Sequence, residues 1–157
     1  MPELSLYFQV DVEWKGKHGG ELRSDSFPKV DVTAPPEFQG QERTWTPEHI
    51  FVAAVNSCFL TTFLAIAESS RLEIVTFGSR AKGKREKVGG WGFQITEIVL
   101  KPELVIHDAK DLDRARRILQ KAEKCCAIAN SIKSAVRMEP QIYHRQLPTQ
   151  PCPPVQS

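Results

Sequence analysis

The sequence predicts an α+β fold of antiparallel strands and two helical regions, in a homodimer whose second copy helps to cover the first helix. Three observations lead there. Segments of alternating β-forming residues stand before and after the middle of the chain, the segment 46–69 is apolar nearly all round, and a later segment repeats apolar residues at helical spacing. A chain of 157 residues has the size of one ordinary domain. Such a domain has difficulty covering a helix on every side, and a second copy is the simplest cover, so a homodimer is expected.

Composition agrees with a folded, soluble chain, since the apolar and charged fractions, 41% and 25%, are those of globular proteins. A net charge of +2 is too small for a nucleic-acid footprint. The alternating run Arg80, Lys82, Lys84, Arg85, Lys87 suits the wet face of a strand better than an anion site. Met1-Pro2-Glu3-Leu4 lacks the basic start and continuous apolar stretch of a secretory signal, so a cytoplasmic location is expected. In that compartment the four cysteines, Cys58, Cys125, Cys126 and Cys152, are expected as thiols with packing or redox roles. Their spacing offers no C-x-x-C and no His at zinc-ligand separation, and neither a metal nor another cofactor is expected.

Taken in order, residues 4–14 alternate and are rich in β-formers, which predicts a strand. Gly16, Gly19 and Gly20 supply a turn, and shorter strands at 21–25 and 29–33 complete an antiparallel meander. From Pro35-Pro36 to Trp45 there is no periodicity of either kind, which predicts a long loop of the sort that often carries function. Thr46-Pro47 is a strong helix start, because Thr caps free amides and Pro at the first position loses no hydrogen bond. The helix is expected to reach about Ser69; Asn56, Ser57, Thr61 and Thr62 interrupt its middle and no basic flank follows, so a membrane span is rejected in favour of a buried helix. Residues 72–88 and 92–106 around Gly89-Gly90 predict a hairpin whose arms are long enough to need a bend. Asp108 or Asp111 caps a second helical region, a last strand lies near 136–144, and the domain ends at about 145. The stretch 146–157, with Pro148, Pro151, Pro153 and Pro154, is expected to be a disordered tail in which Cys152 is incidental.

In the second helical region Leu112, Ala115, Leu119, Ala122, Cys126 and Ala129 share one face, so Cys126 is expected to point into the core. Cys125 falls about 100° round the helix, in line with Ile118 and Ile132, at the edge of that apolar stripe. Adjacent cysteines bridge only with strain, so the two are not expected to act as a pair. Buried cysteines alone mean little, because free Cys packs as a small hydrophobe. A redox role requires that Cys58 and a second thiol meet in space, which sequence spacing does not decide.

The segment Trp45-Thr46-Pro47-Glu48-His49-Ile50-Phe51-Val52-Ala53-Ala54-Val55-Asn56-Ser57-Cys58-Phe59 resembles the signature of the OsmC/Ohr superfamily, the osmotically inducible and organic-hydroperoxide-resistance proteins. Ala122-Glu123-Lys124-Cys125-Cys126-Ala127-Ile128-Ala129-Asn130-Ser131 resembles its second-cysteine segment, in the right order and at a suitable separation. The resemblance implies an OsmC-like intertwined homodimer and a thiol-dependent peroxidase for organic hydroperoxides or hydrogen peroxide. Cys58 is then the peroxidatic thiolate and Cys126 the resolving thiol, with a dithiol reductant such as a lipoyl or thioredoxin-like protein.

It also implies an Arg near Cys58, held by a Glu that matches Glu48. Glu48 precedes Cys58 by ten residues, about 15 Å of straight helix, so it reaches that site only from the partner subunit. The Arg is where the resemblance breaks. One branch places it in the turn 16–19, where Lys17 stands, and the other in the loop before the helix, where counting back from Pro47 gives Phe38. Lys lacks the guanidinium fork that holds a carboxylate and a thiolate together, so the exchange is not conservative. Arg43 and Arg23 are the substitutes in nearby loops. Three readings follow: a thiol peroxidase using Lys17 or Arg43, a non-catalytic dimer holding a small apolar ligand in its interface pocket, and a structural dimer whose cysteines only pack.

Overall fold

The computed structural model describes residues 4–90 and 92–145, in two compact units, Met1–Ala53 and Ala54–Ser157. The expected tail, with Cys152, lies outside the described residues.

The first unit is the predicted antiparallel meander, with β1 (Asp11–Gly16), β2 (Gly19–Arg23) and β3 (Val30–Thr33) in that order. Gly16 and Lys17 both have positive φ, 103° and 47°, where the chain turns tightly from β1 into β2 just after a register shift between Trp14 and Gly16. Strand β1 begins at Asp11 rather than at the expected Leu4. Its partner β2 stops at Arg23, opposite Asp11, so the residues before Asp11 have no neighbouring strand to pair with. Their alternation is left in the open, with Leu4, Leu6, Tyr7 and Phe8 all strongly exposed. The loop after β3 folds tightly through a 3₁₀ turn at Pro36–Phe38, and the Gly40 amide donates to the Pro35 carbonyl at 3.1 Å. A Cβ at Gly40 would stand 1.5 Å from the Ala34 carbonyl oxygen, so only glycine fits. Thr46, 2% exposed, caps the next helix by accepting from the His49 amide at 3.3 Å.

That helix is α1 (Pro47–Ser69), as the sequence predicts. It ends in a Schellman turn: Leu72 N–H donates to the Ala67 carbonyl and Arg71 N–H to Glu68, with Arg71 at φ 54°. The hairpin strands β4 (Ile74–Val88) and β5 (Gly92–Ile106) follow, each 15 residues long, with the expected bend taken up by register shifts at Ile74/Thr76 and Lys84/Arg85. The last strand near 136–144 divides at Glu139-Pro140 into β6 (Ala135–Met138) and β7 (Gln141–His144). Both run parallel to β5, so the second sheet is mixed where antiparallel sheets were expected. The helical region between β5 and β6 supplies the connection such a parallel pair requires.

The core of the second unit lies between this sheet and its helices. Ile98, Leu100, Leu104 and Ile106 of β5 are essentially buried, as are Val55, Phe59, Phe63 and Ala67, four residues apart along one stripe of α1. Phe63 stacks on Phe77 of β4 with ring centroids 4.5 Å apart. The expectation of a helix buried all round is not met within one chain: the stripe is covered, while Leu64 stays 42% exposed. Helix α2 (Leu112–Cys125) buries Ala115, Ile118, Leu119 and Ala122. Its Arg114 donates to the Ser70 carbonyl at 2.9 Å, tying α2 to the C-terminal end of α1.

Replacing Phe63 by Ala removes a ring that is 0% exposed. We expect a loss of about 3–5 kcal/mol in urea unfolding; a loss below about 1 kcal/mol would contradict the packing described.

Candidate functional site

Cys58 and Thr62 lie four residues apart in α1, one position before the buried Phe59 and Phe63, so their side chains flank the covered stripe. Helix α2 delivers the other half of the site by stopping. Cys126 adopts an extended conformation, φ −66° and ψ 109°, and the chain turns through 3₁₀ geometry at Ala129–Ser131. Four hydrogen bonds lock this turn. Asn130 N–H donates to the Cys126 carbonyl at 3.0 Å and Ser131 N–H to Ile128 at 3.0 Å. The Ser131 hydroxyl donates to the Ala127 carbonyl at 2.7 Å, and Asn130 Nδ2 to the Lys124 carbonyl at 3.0 Å, closing the open end of α2.

This turn sets Cys126 against α1. Its side chain is fully buried, its thiol donates to the Val55 carbonyl oxygen at an Sγ–O distance of 3.9 Å, and it lies close enough to Cys58 for each thiol to shift the other's ionisation. The two thiols that a redox role requires to be neighbours are neighbours. Their surroundings pull them apart in acidity. Burial pushes the Cys58 thiol up, but hydrogen bonds from the Ile128 amide, the Cys126 thiol, the Thr62 hydroxyl and the Ala127 amide outweigh it and hold its pKa below that of an ordinary thiol. Burial likewise pushes Cys126 up, the Ala129 and Ile128 amides oppose this, and the Cys58 charge beside it leaves its pKa raised. Cys58 is thus the more acidic of the two thiols and Cys126 the less acidic.

Of the residues singled out in the sequence, Cys58 and Cys126 come together, both in the second unit. Lys17, Arg43 and Glu48 belong to the first unit, and the hydrogen bonds to Cys58 given above are made by the second alone. Lys17 and Arg43 are exposed loop residues with φ of 47° and 57°, and Glu48 stands in the first turn of α1. Arg23 is engaged in its own sheet, 2.6 Å from both Glu13 and Glu21. Cys125 is exposed rather than at the edge of an apolar stripe, because α2 ends there and Ile132 no longer continues its line. Sequence reasoning missed Thr62 and the amides of residues 127–129. The four-residue spacing of Thr62 from Cys58 was a usable signal; backbone donors leave none.

The sequence profile of the OsmC-like protein family matches residues 40–141. An uncharacterised protein of Bacillus subtilis (strain 168), YmaD, is 25% identical over 138 residues, 85% of this chain and 91% of that one. An OsmC-like protein of unknown function from Vibrio cholerae O1 biovar eltor str. N16961 superposes with a TM-score of 0.79 at 25% identity, covering 87% of this chain and 99% of the other. An organic hydroperoxide resistance protein from Elizabethkingia anophelis, with crystallant-derived thiocyanate bound, gives a TM-score of 0.73 over 91% of this chain and 99% of its own. At 17% identity the latter likeness is one of fold.

A depressed Cys58 pKa means that its thiolate persists as pH falls into a range where ordinary thiols are protonated. Alkylation by iodoacetamide, mapped by mass spectrometry across pH, is expected to mark Cys58 well before Cys126 and to continue below that ordinary range. Thr62→Val should slow Cys58 alkylation at neutral pH by roughly threefold, and Thr62→Ser should restore it. Equal rates for Cys58 and Cys126 would contradict the asymmetry.

Proposed function

The chain belongs to the OsmC-like protein family, and on that premise we propose that it is a thiol-dependent peroxidase whose substrate is an organic hydroperoxide or hydrogen peroxide. The observation that carries this reading is a neighbouring pair of thiols whose acidities are shifted in opposite directions, one half-buried and one fully buried. The Cys58 thiolate attacks the outer peroxide oxygen. An S–O bond forms, the O–O bond breaks, and the departing alkoxide takes a proton to leave as alcohol, or as water from hydrogen peroxide. Cys126, as thiolate, then attacks the sulfur of the Cys58 sulfenic acid; the S–S bond forms and hydroxide leaves as water. A dithiol reductant, a lipoyl or thioredoxin-like protein, returns two electrons by disulfide exchange, which suits a reducing cytoplasm.

The working form in this reading is a homodimer. The uncovered apolar face of α1 and the exposed Leu4, Leu6, Tyr7, Phe8, Val12 and Trp14 are surfaces that a second copy would bury. Glu48, and Lys17 or Arg43 as the cation, are assigned to that assembled site. Glu48 stands ten residues before Cys58 in one helix, so it serves the other copy.

Organic hydroperoxide added to reduced protein is expected to form a Cys58–Cys126 disulfide quickly. Cys126→Ser should instead accumulate sulfenic acid at Cys58, detectable with a dimedone probe, and Cys58→Ser should consume no peroxide. Slow, peroxide-independent bond formation would overturn the peroxidase reading. Light scattering during gel filtration should give twice the chain mass, and a monomer would remove the assignment of Glu48.

A further inference from the structure

Residues 55 and 56 hold α1 from two sides. On one, the Cys126 thiol donates to the Val55 carbonyl at 3.9 Å, and that carbonyl points along the helix toward the turn that carries Cys58. On the other, Asn56 Nδ2 donates to the Ser79 carbonyl of β4 at 2.8 Å. That carbonyl needs a partner from outside the sheet. Ser79 stands opposite Pro102 of β5, whose backbone groups alternate in direction along the strand; Leu100 gives its carbonyl to the Glu139 N–H on the β6 side, so Pro102 faces that side as well. Ser79 therefore exchanges no hydrogen bond with Pro102. Its carbonyl faces the outer edge of the sheet, where β4 is the last strand among the described residues.

Beside this bond the contact of α1 with β4 is apolar. Phe59 and Phe63 pack on Phe77 with ring centroids 6.2 Å and 4.5 Å apart, and Phe77 lies two residues from Ser79 on the same face of the strand. Ring packing is non-directional and leaves a helix free to turn slightly or slide, whereas a short hydrogen bond between two named atoms does not. Asn56 is also costly where it stands. It is a poor helix former in the middle of α1, and its Oδ1 and the Ser79 Oγ are buried without a hydrogen-bond partner among the described residues. Stability alone does not account for such a residue. Position does, in the way that one buried polar side chain fixes the register of packed helices at some cost.

We propose that Asn56 pins the rotation and axial register of α1 on the sheet and is thereby a positioning residue for Cys58 opposite Cys126. Cys58 lies two residues beyond the pin, so a disturbance at Asn56 reaches it with little damping. A turn of about 20° carries a side-chain atom about 5 Å from the helix axis through about 2 Å, as much as the length of an S–S bond. The pin acts on the thiol pair whatever the oxidant; only its effect on turnover rests on the peroxidase reading.

The test uses the full chain. Asn56→Asp keeps the shape of the side chain and removes the donor, and Asn56→Ala removes both. The fraction of Cys58–Cys126 disulfide is measured by mass spectrometry after equilibration in dithiothreitol redox buffers, without peroxide. Both variants are expected to disfavour the disulfide by roughly tenfold, a rise of about 30 mV in reduction potential. Ile106→Val trims a core residue of β5 that is 0% exposed; it should lower the Tm and leave the potential unchanged. With organic hydroperoxide as oxidant, the two Asn56 variants should also close the bond more slowly. Either of them holding the unaltered potential while folded would overturn the proposal, as would an equal shift in Ile106→Val. Should Asn56→Asp fail to fold, Asn56→Ala decides alone. Shifted potentials in a protein whose unaltered chain does not respond to peroxide would instead sink the peroxidase reading and leave the pin in place.

Discussion

The closeness of Cys58 and Cys126, each shifting the other's ionisation, is the constraint on which the rest of the site depends, and it follows from α2 stopping one residue before Cys126. Had the helix continued, the amides of 127–129 would have been directed along the helix axis, toward carbonyls four residues back. Ending the helix frees them and lets Cys126 approach the Val55 carbonyl of α1. Arg114, bound to the carbonyl end of α1, fixes the other end of α2. The distance between two sulfurs is therefore set by how one helix is anchored and where it ends.

From that closeness follows a difference between two chemically identical groups. Both thiols suffer desolvation, which alone would leave both protonated. They cannot both ionise cheaply as neighbours, so the one with more donors takes the charge and raises the pKa of the other. Thr62 contributes here, because its hydroxyl reaches Cys58 from within α1. One residue type is thus given two different acidities by its surroundings.

Much of this was legible in the sequence, and the parts that were not share a physical reason. The cap at Thr46, the length of α1, the Gly89 hairpin and the inward position of Cys126 all rest on local rules, and local rules held. Strand β1 was overextended because alternation in 4–10 describes side chains that need a partner surface, whereas a strand needs a neighbouring backbone. The parallel direction of β6 and β7 depends on tertiary routing that no residue pattern encodes. Cys125 was misplaced because its helical line to Ile132 assumed that α2 continued. The search for an activator of Cys58 looked among side chains and so passed over backbone amides, which every residue but proline carries.

That last omission changes what the missing Arg means. A thiolate in mid-helix gains little from the helix dipole, and a nearby cation was the obvious remedy. Hydrogen bonds to a charged group are worth about 1.5–3 kcal/mol each. Several together are of the same order as the cost of partly desolvating one anion. The donors around Cys58 lower its pKa against burial with no guanidinium among them. In the proposed reaction a cation is then needed for the charge that develops on the departing oxygen, a task of point-charge stabilisation rather than bidentate clamping. A lysine performs the first task and fails at the second. In the proposed reaction Lys17, where the family resemblance leads one to expect Arg, is asked only to serve that departing oxygen and not to clamp the sulfur.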